Sequence, residues 1–305
     1  MTLPIRNSLK DQVSNSAPLC EPFDPFPTAP RYTLPTNSCD THAHICGPAS
    51  RYQYAPSRIY TPPDALLSDY LTMIETLGIN RAVIIQPSVY GIDNTVTLEA
   101  IKASPIPCRG VAVIDSSVTN AELQTMHDTG IRGIRLNLVD VNNPSGEIPL
   151  DMARKLAELI APLGWHVEFL IHIDDYPNLD EQFTDFPTDI VVGHMGYMRP
   201  GKTTKEPGFK ALLKLMEKGQ CWVKLTGPYR ISSGDMPYPG VLELAQTLVA
   251  TAPERILWGS DWPHVMLKKS MPNDGILSDL LINWIPENKM RHIVLVDNPA
   301  KLYGF

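Results

Sequence analysis

Short apolar runs rich in β-branched residues recur along the chain and alternate with segments of helical periodicity. Within residues 64–77, for example, Leu67, Ile74 and Leu77 fall on one helical face. Strict alternation of strand and helix predicts βαβ units and a parallel sheet. Eight such strands fit a (β/α)8 TIM barrel better than an open sheet. The eight predicted strands are residues 40–45, 82–86, 110–114, 133–138, 166–171, 190–194, 221–225 and 256–258.

The length of the chain leaves two architectures open before this pattern is considered. Its 305 residues, of which 43% are apolar, suit either two ordinary domains or one large barrel. The eight-fold repeat of strands favours one α/β barrel, predicted to span residues 39–305. Residues 1–38 are rich in proline, serine and asparagine and are predicted to form an extended N-terminal arm.

Charge and cysteine content exclude several functional classes. The chain has 26 basic and 33 acidic residues and no long basic run, so no nucleic-acid partner is expected. It has no apolar stretch of membrane-spanning length and no signal-peptide layout, so we expect a cytoplasmic protein without a membrane partner. Its five cysteines are widely spread without a Cys-x-x-Cys pair, which predicts free thiols.

Ionisable side chains follow three of the predicted strands, at the barrel end that carries the active site in this fold. The first strand ends in Asp-Thr-His-Ala-His. His42 and His44 are two residues apart and project to one face, where paired imidazoles form a metal or oxyanion site. His194 follows the sixth strand, and Asp261 and His264 follow the eighth. Burying these groups together is costly, which indicates a functional site.

These motifs resemble the amidohydrolase superfamily, in the branch of 2-pyrone-4,6-dicarboxylate lactonase and related sugar-acid lactonases (the amidohydrolase 2 family). The resemblance extends from Cys39 to Phe305. The segments that carry it are residues 40–48, 86–94, 132–137, 193–196, 258–264 and 297–299.

The resemblance implies a hydrolase that opens the ring of a carboxylated or sugar-acid lactone, a small molecule of carbohydrate or aromatic catabolism. Asp261 would be the general base that acts on water. His42, His44 and His194 would polarise the lactone carbonyl. Ester hydrolysis needs such a carboxylate, together with fixed donors where negative charge develops.

The resemblance leaves a metal cofactor open. Most members of the superfamily bind one or two divalent ions, whereas the pyrone lactonase type works without one, and we expect no required cofactor here. If an ion such as zinc is bound, the implied ligands are His42, His44, His172 and Asp261. The alternative for His172 is a loop position that touches the substrate.

Substrate recognition departs from the family pattern at one position. Arg135 matches the first of several family arginines that bind the substrate carboxylates, but Val141 occupies the position of the second. The loss of a bidentate clamp weakens the case for a planar dicarboxylate substrate. Asp140 and Asn142, in the same loop, would suit a polyhydroxylated ring.

Four further residues are candidates near the substrate. Arg230 matches a family arginine that contacts the substrate, and Tyr90 could donate to a substrate oxygen. His264 is a candidate that supports either Asp261 or a loop. Lys224 is a minor candidate because it lies within the seventh strand and could point outward.

Three other functions stay open at this point. A lactone isomerase would use a substrate hydroxyl in place of water, and a zinc-dependent nonoxidative decarboxylase of the same superfamily would require a metal and release carbon dioxide. A noncatalytic binding barrel would have no use for a carboxylate opposite three histidines. Assembly into a homo-oligomer also stays open.

Overall fold

A computed structural model describes residues 17–140 and 147–305. Within them, eight parallel strands form one sheet in sequence order, and helices lie between the strands. The predicted (β/α)8 architecture is confirmed. The strands are Cys39–Ala43 (β1), Arg81–Ile85 (β2), Cys108–Ala112 (β3), Ile131–Asn137 (β4), His166–Leu170 (β5), Ile190–Val192 (β6), Cys221–Leu225 (β7) and Ile256–Trp258 (β8).

Helices cover the outer face of the sheet and bury apolar stripes against it. The stripe of Leu67–Leu77 (α1) buries Tyr70, Met73, Ile74 and Leu77. The other helices are Thr95–Ala103 (α2), Asn120–Thr129 (α3), Leu150–Ile160 (α4), Leu179–Gln182 (α5), Pro207–Glu217 (α6), Pro228–Ile231 (α7), Val241–Thr251 (α8), Asp274–Trp284 (α9), Asn288–His292 (α10) and Asn298–Tyr303 (α11).

A second, smaller core cluster includes alternate residues of several strands. Val83 and Ile85 of β2, Val191 of β6 and Leu257 of β8 belong to it and are fully buried. Because side chains alternate across a strand, each strand turns every second residue toward the barrel interior, and on some strands these residues are polar. The register pairs Glu168 with Val191 and Lys224 with Leu257, and these polar side chains are as buried as their apolar neighbours.

The Asp40 carboxylate joins the first strand to the end of the last. Its Oδ1 accepts hydrogen bonds from the backbone amides of His42 and Ser260, at 3.0 and 2.9 Å. Its Oδ2 accepts from the hydroxyls of Ser260 and Tyr70, at 2.6 and 3.1 Å. Burial raises the pKa of this carboxyl group to about 6, although the hydrogen bonds oppose the rise. Asp40 thus fixes the chain segment that leads into Asp261.

Glycine at position 259 allows β8 to approach β1 closely. A Cβ atom at Gly259 would lie 2.7 Å from both the Cβ and the backbone nitrogen of His42. Any larger residue would push the segment after β8 away from the histidine-bearing strand.

Part of the N-terminal segment packs against the end of the barrel. Thr28 donates from its backbone and hydroxyl to Asn273 Oδ1, at 3.0 and 2.7 Å. The ring of Phe23 lies 4.8 Å from that of Trp262, next to Asp261. The predicted boundary at residue 38 stays a prediction, and residues 1–16 of the arm lie outside the described residues. In the described part of the chain, no helix is long and apolar enough to span a membrane.

Replacing Asp40 with asparagine is expected to lower the free energy of unfolding by about 1 kcal/mol. The amide group would face donors that now bind a carboxylate, and removal of the buried charge offsets part of this loss. Urea denaturation at about pH 8, where the carboxylate is ionised, measures the change. The exposed Asp128→Asn substitution on α3 is the matched control, with an expected change within about 0.5 kcal/mol. Equal stability of D40N and the wild type would contradict the conclusion that the Asp40 hydrogen bonds hold the first strand to the end of the last.

Candidate active site

Four predicted residues meet at the barrel mouth around one carboxylate oxygen. Asp261 Oδ1 lies 3.7 Å from Nε2 of His42, 4.0 Å from Nε2 of His44 and 3.9 Å from Nε2 of His194. All four side chains are buried. The distances are too long for hydrogen bonds, and among the described residues Asp261 Oδ1 and His42 Nε2 have no hydrogen-bond partner. These atoms are therefore available to a bound molecule.

The second oxygen of Asp261 is held by two neighbours. Arg230 Nε donates to Oδ2 at 2.7 Å, and the Tyr229 hydroxyl donates to it at 2.6 Å. Burial alone would raise the pKa of Asp261, but the Arg230 guanidinium, the nearby imidazoles and Tyr229 together hold it well below its usual range. Asp261 is thus ionised, and its free oxygen faces the imidazoles.

The three imidazoles are neutral at physiological pH. Burial, and after it the charge of Arg135, lowers the pKa of His44 to about 3. The pKa of His194 is also lowered to about 3, by burial and then by the charge of Arg230. The pKa of His42 lies well below its usual range because of burial and then the charge of Lys224. A positive charge on any of the three rings is therefore disfavoured, first by burial and then by the neighbouring cations.

Two of the site residues have a left-handed backbone conformation. The φ angle is 66° at Asp261 and 50° at His194. Non-glycine residues adopt this conformation rarely, and such strain concentrates at functional sites. The tight turns direct both side chains into the mouth directly after short strands.

A chain of buried hydrogen bonds extends behind Asp261. The Tyr229 hydroxyl, which contacts Asp261, lies 2.8 Å from Nδ1 of His264, and Nε2 of His264 lies 3.1 Å from Oδ1 of Asp274. Both nitrogens of His264 are therefore engaged, and its connection to Asp261 is through Tyr229. Sequence reasoning did not identify Tyr229, whose only signal was its position beside Arg230.

A buried ion pair lies beside the imidazole of His42. Lys224 Nζ donates to Glu168 Oε2 at 2.6 Å and lies 3.3 Å from Nδ1 of His42. Lys224 thus reaches β5 and β1 through the barrel interior, and the expectation that it could point outward is wrong. Glu168 was not predicted as a functional residue. A usable signal was present in both cases, because each is a lone charge within an apolar strand of a sheet that is covered on both faces.

Arg135 lies at the mouth with an incompletely used guanidinium. It is buried, its Nε is 3.9 Å from Glu168 Oε1, and this Nε has no hydrogen-bond partner among the described residues. Arg135 lines a cavity of about 440 Å³ together with Arg58, Ser88, Asn137 and Asp140. The loop positions Val141, Asn142 and Asn143 lie outside the described residues.

Two predicted residues are not brought to Asp261. The Tyr90 hydroxyl accepts a hydrogen bond from the backbone of Gly47 at 2.8 Å, so its oxygen holds the loop after β1. His172 lies beyond the end of β5, and its Nδ1 is 2.6 Å from the carbonyl oxygen of Tyr197. The group of possible metal ligands consists of His42, His44 and Asp261 and does not contain His172. In both cases the chain turns directly after the strand and redirects the side chain.

The residues fit a metal ion by type, but three cationic side chains lie close to them. Ligand atoms of His42, His44 and Asp261 lie within 4.8 Å of one another, and histidine with carboxylate is a common zinc ligand set. However, Arg230 already neutralises Asp261. Burial, Lys224 and Arg135 lower the pKa of His42, and Glu168 balances only part of the charge of these two cations. A divalent cation would add to this positive charge, whereas an anionic group would balance it.

Comparisons with known proteins identify the relatives of this chain. A family model described as amidohydrolase matches residues 39–305. The chain is 38% identical over 290 residues to a 2-pyrone-4,6-dicarboxylate hydrolase of Comamonas testosteroni, covering 91% of this chain and 93% of the relative. It is 37% identical over 276 residues to a 4-sulfomuconolactone hydrolase of Hydrogenophaga intermedia, covering 90% and 91%. A crystal structure from Agrobacterium tumefaciens is similar, with a TM-score of 0.82, 28% identity and coverage of 92% of this chain and 99% of that chain.

The imidazoles of His42, His44 and His194 are expected not to titrate between about pH 5 and pH 8, the range in which an ordinary histidine changes charge. Burial and neighbouring cations keep all three neutral there. The proton chemical shift at ring position Cε1, followed by NMR against pH, measures this. If the chemical shift of any of the three rings changes with a midpoint near the pKa of free histidine, the conclusion that all three are neutral is wrong.

Proposed function

The chain belongs to the amidohydrolase family, and we propose that it hydrolyses the ring ester of a small lactone that carries an acidic group. The observation that carries this proposal is the ionised Asp261, whose free oxygen faces three neutral imidazoles. Both curated relatives described above are named as hydrolases, one of a pyrone dicarboxylate and one of a sulfomuconolactone. Each of those names describes a ring ester with acidic substituents.

In the proposed reaction, Asp261 Oδ1 accepts a proton from water while the water oxygen bonds to the lactone carbonyl carbon. The carbonyl electron pair moves to its oxygen, where imidazole N–H groups donate hydrogen bonds to the developing negative charge. The tetrahedral intermediate then breaks its bond to the ring oxygen. Asp261 returns the proton to that oxygen, and the product is a hydroxy acid or its keto form.

The depressed pKa of Asp261 suits one half of this cycle better than the other. A carboxylate that Arg230 holds ionised is always ready to accept a proton, but it is a weak base. Once protonated it is a correspondingly strong acid, which favours expulsion of the ring oxygen. The attack of water therefore depends on strong polarisation of the carbonyl group.

We assign carboxylate binding to Arg135 and the positioning of Asp261 to Arg230. Arg135 lines the 440 Å³ cavity, whereas Arg230 is occupied by Asp261 and by the carbonyl oxygen of Val265, at 2.7 and 3.1 Å. Tyr229 and His264 support Asp261 from behind. Tyr90 and His172 support loops rather than substrate.

We also propose that the reaction requires no metal. The positive groups around the imidazoles support this, because they disfavour a divalent cation and favour the substrate anion. Were an ion bound, His42, His44 and Asp261 would hold it, and it would supply Lewis-acid polarisation of the carbonyl and a more acidic water.

Purified protein, treated with a chelator and desalted, is expected to hydrolyse at least one five- or six-membered lactone acid of a panel that includes pyrone dicarboxylates, muconolactones and sugar-acid lactones. Asp261→Asn is expected to lower kcat by about 10²- to 10⁴-fold, the usual contribution of a general base. Proton release measures the rate, and proton NMR of the product separates ring opening from isomerisation.

The exposed Asp128→Asn variant is the matched control for the same chemical change and is expected to keep the wild-type rate. Absence of hydrolysis across the panel, or an Asp261→Asn variant with an unchanged rate, would overturn the proposed function. A rate that returns only when zinc is added would overturn the metal-free part alone.

Arg135→Gln is expected to raise KM for a lactone acid by about tenfold to a hundredfold, because the substrate carboxylate loses a charged hydrogen-bond partner. The same variant should change KM for the methyl ester of that substrate little. Steady-state kinetics on the acid and its ester, for wild type and variant, give the comparison. An equal effect on both substrates would show that Arg135 does not bind the carboxylate.

A further inference from the structure

The three imidazoles at Asp261 have different partners on their other ring nitrogen. Their Nε2 atoms all face Asp261 Oδ1, whereas their Nδ1 atoms face a lysine, a backbone carbonyl and a threonine hydroxyl. A neutral imidazole has one N–H and one lone pair. The partner of Nδ1 therefore decides whether Nε2 donates or accepts at the reaction centre.

His42 has a partner that only donates. Lys224 Nζ hydrogen bonds to His42 Nδ1 at 3.3 Å, to the carbonyl oxygen of Thr41 at 2.8 Å and to Glu168 Oε2 at 2.6 Å. An ammonium group has three protons and no lone pair, so all three partners must accept. The proton of His42 is thus placed on Nε2, which is buried without a hydrogen-bond partner among the described residues.

The competing partner of His42 is Glu168. Its Oε1 lies 3.4 Å from the same Nδ1 and would bind the opposite tautomer. This carboxylate already accepts the 2.6 Å hydrogen bond from Lys224 and lies 3.9 Å from Arg135 Nε. Two cations therefore compete with His42 for this carboxylate, and we assign the 3.3 Å contact with Lys224 as the hydrogen bond of Nδ1.

His44 has a partner that only accepts. Its Nδ1 lies 2.8 Å from the backbone carbonyl oxygen of Ile85 at the end of β2. A carbonyl oxygen cannot donate, so the proton of His44 is on Nδ1 and its Nε2 carries a lone pair. This lone pair and the Asp261 carboxylate are two acceptors that face each other across 4.0 Å. A molecule with two hydrogens, such as water, satisfies both.

His194 is not fixed in the same way. The Thr226 hydroxyl oxygen lies 2.7 Å from its Nδ1 and also accepts from the backbone amide of His194 at 3.2 Å. A hydroxyl can donate or accept, so either tautomer is compatible with this contact. The contrast between His42 and His44 is therefore the informative one.

We propose that His42 and His44 have opposite tautomers and separate tasks: His42 donates its Nε2–H to the lactone carbonyl oxygen, and His44 accepts a hydrogen bond from the attacking water. Lys224 is the positioning residue that holds His42 as a donor. The chemical tasks rest on the proposed lactone hydrolysis, whereas the tautomers are a property of the resting protein. The family resemblance implies that His42, His44 and His194 all polarise the carbonyl group, whereas this proposal gives His44 a different task.

The tautomers can be measured directly by long-range proton–nitrogen correlation NMR on the ¹⁵N-labelled full-length protein. His42 is expected to show a pyridine-type Nδ1 and a pyrrole-type Nε2, and His44 the reverse. Single substitutions His42→Gln and His44→Gln assign the two sets of signals. The same tautomer for both residues, or two pyrrole-type nitrogens in either, would overturn the proposal whether or not the protein is a lactonase.

The role of Lys224 is tested with a charge-balanced variant. Lys224→Met combined with Glu168→Gln removes the ammonium without leaving a buried carboxylate unpaired, and Glu168→Gln alone is the matched control that keeps Lys224. The double variant is expected to move the His42 proton to Nδ1 and to lower kcat at least tenfold with little change in KM. The single variant is expected to keep the His42 tautomer. An unchanged tautomer in the folded double variant would overturn the role of Lys224, and if that variant does not fold, the wild-type tautomers still decide the proposal.

The separate tasks are tested with a stronger nucleophile. Hydroxylamine attacks a carbonyl group without needing an oriented, activated water, and its product is a hydroxamate. It is expected to restore turnover of His44→Ala to a much greater extent than that of His42→Ala, which lacks the donor to the carbonyl oxygen. Equal rescue of both variants, or better rescue of His42→Ala, would overturn the division of tasks while leaving the proposed lactone hydrolysis intact.

Discussion

The ion pair between Arg230 and Asp261 is the constraint on which the site depends. Arg230 and Tyr229 occupy one carboxylate oxygen, at 2.7 and 2.6 Å, and so fix the direction of the other. An ionised carboxylate this deeply buried would be strongly destabilising without such partners. The positive φ of Asp261 and the Asp40 hydrogen bonds to the segment before it serve the same end, because they hold the backbone from which this side chain projects.

The buried Glu168–Lys224 pair constrains one of the histidines in a similar way. Glu168 and Lys224 come from β5 and β7 and are completely buried, yet a hydrophobic pair of similar volume would give comparable stability. What they contact indicates a role beyond stability. Lys224 reaches His42 on β1, so three strands of the barrel determine the orientation of one imidazole.

The fold and the outline of the site could be read from the sequence, because both depend on patterns along one chain segment. Apolar runs located all eight strands, and the strand ends located His42, His44, His194 and Asp261. The Glu168–Lys224 pair could not be read, because its partners are joined only when β5 and β7 face each other across the barrel. The directions of Tyr90 and His172 depend on 3₁₀ turns directly after β2 and β5, which periodicity does not reveal.

In the proposed hydrolysis Asp261 is a weak base, and this accounts for the buried polar groups that contact His42. Arg230 makes the carboxylate a poor proton acceptor, so the attack of water requires a strongly polarised carbonyl group. Polarisation depends on an N–H that is already oriented and that does not have to reorganise during the reaction. Lys224 supplies that orientation through Nδ1 of His42, and burial together with the charge of Lys224 keeps the imidazole neutral. In the proposed reaction, the buried lysine thus acts at the attack of water, the step for which Asp261 is the weaker catalyst.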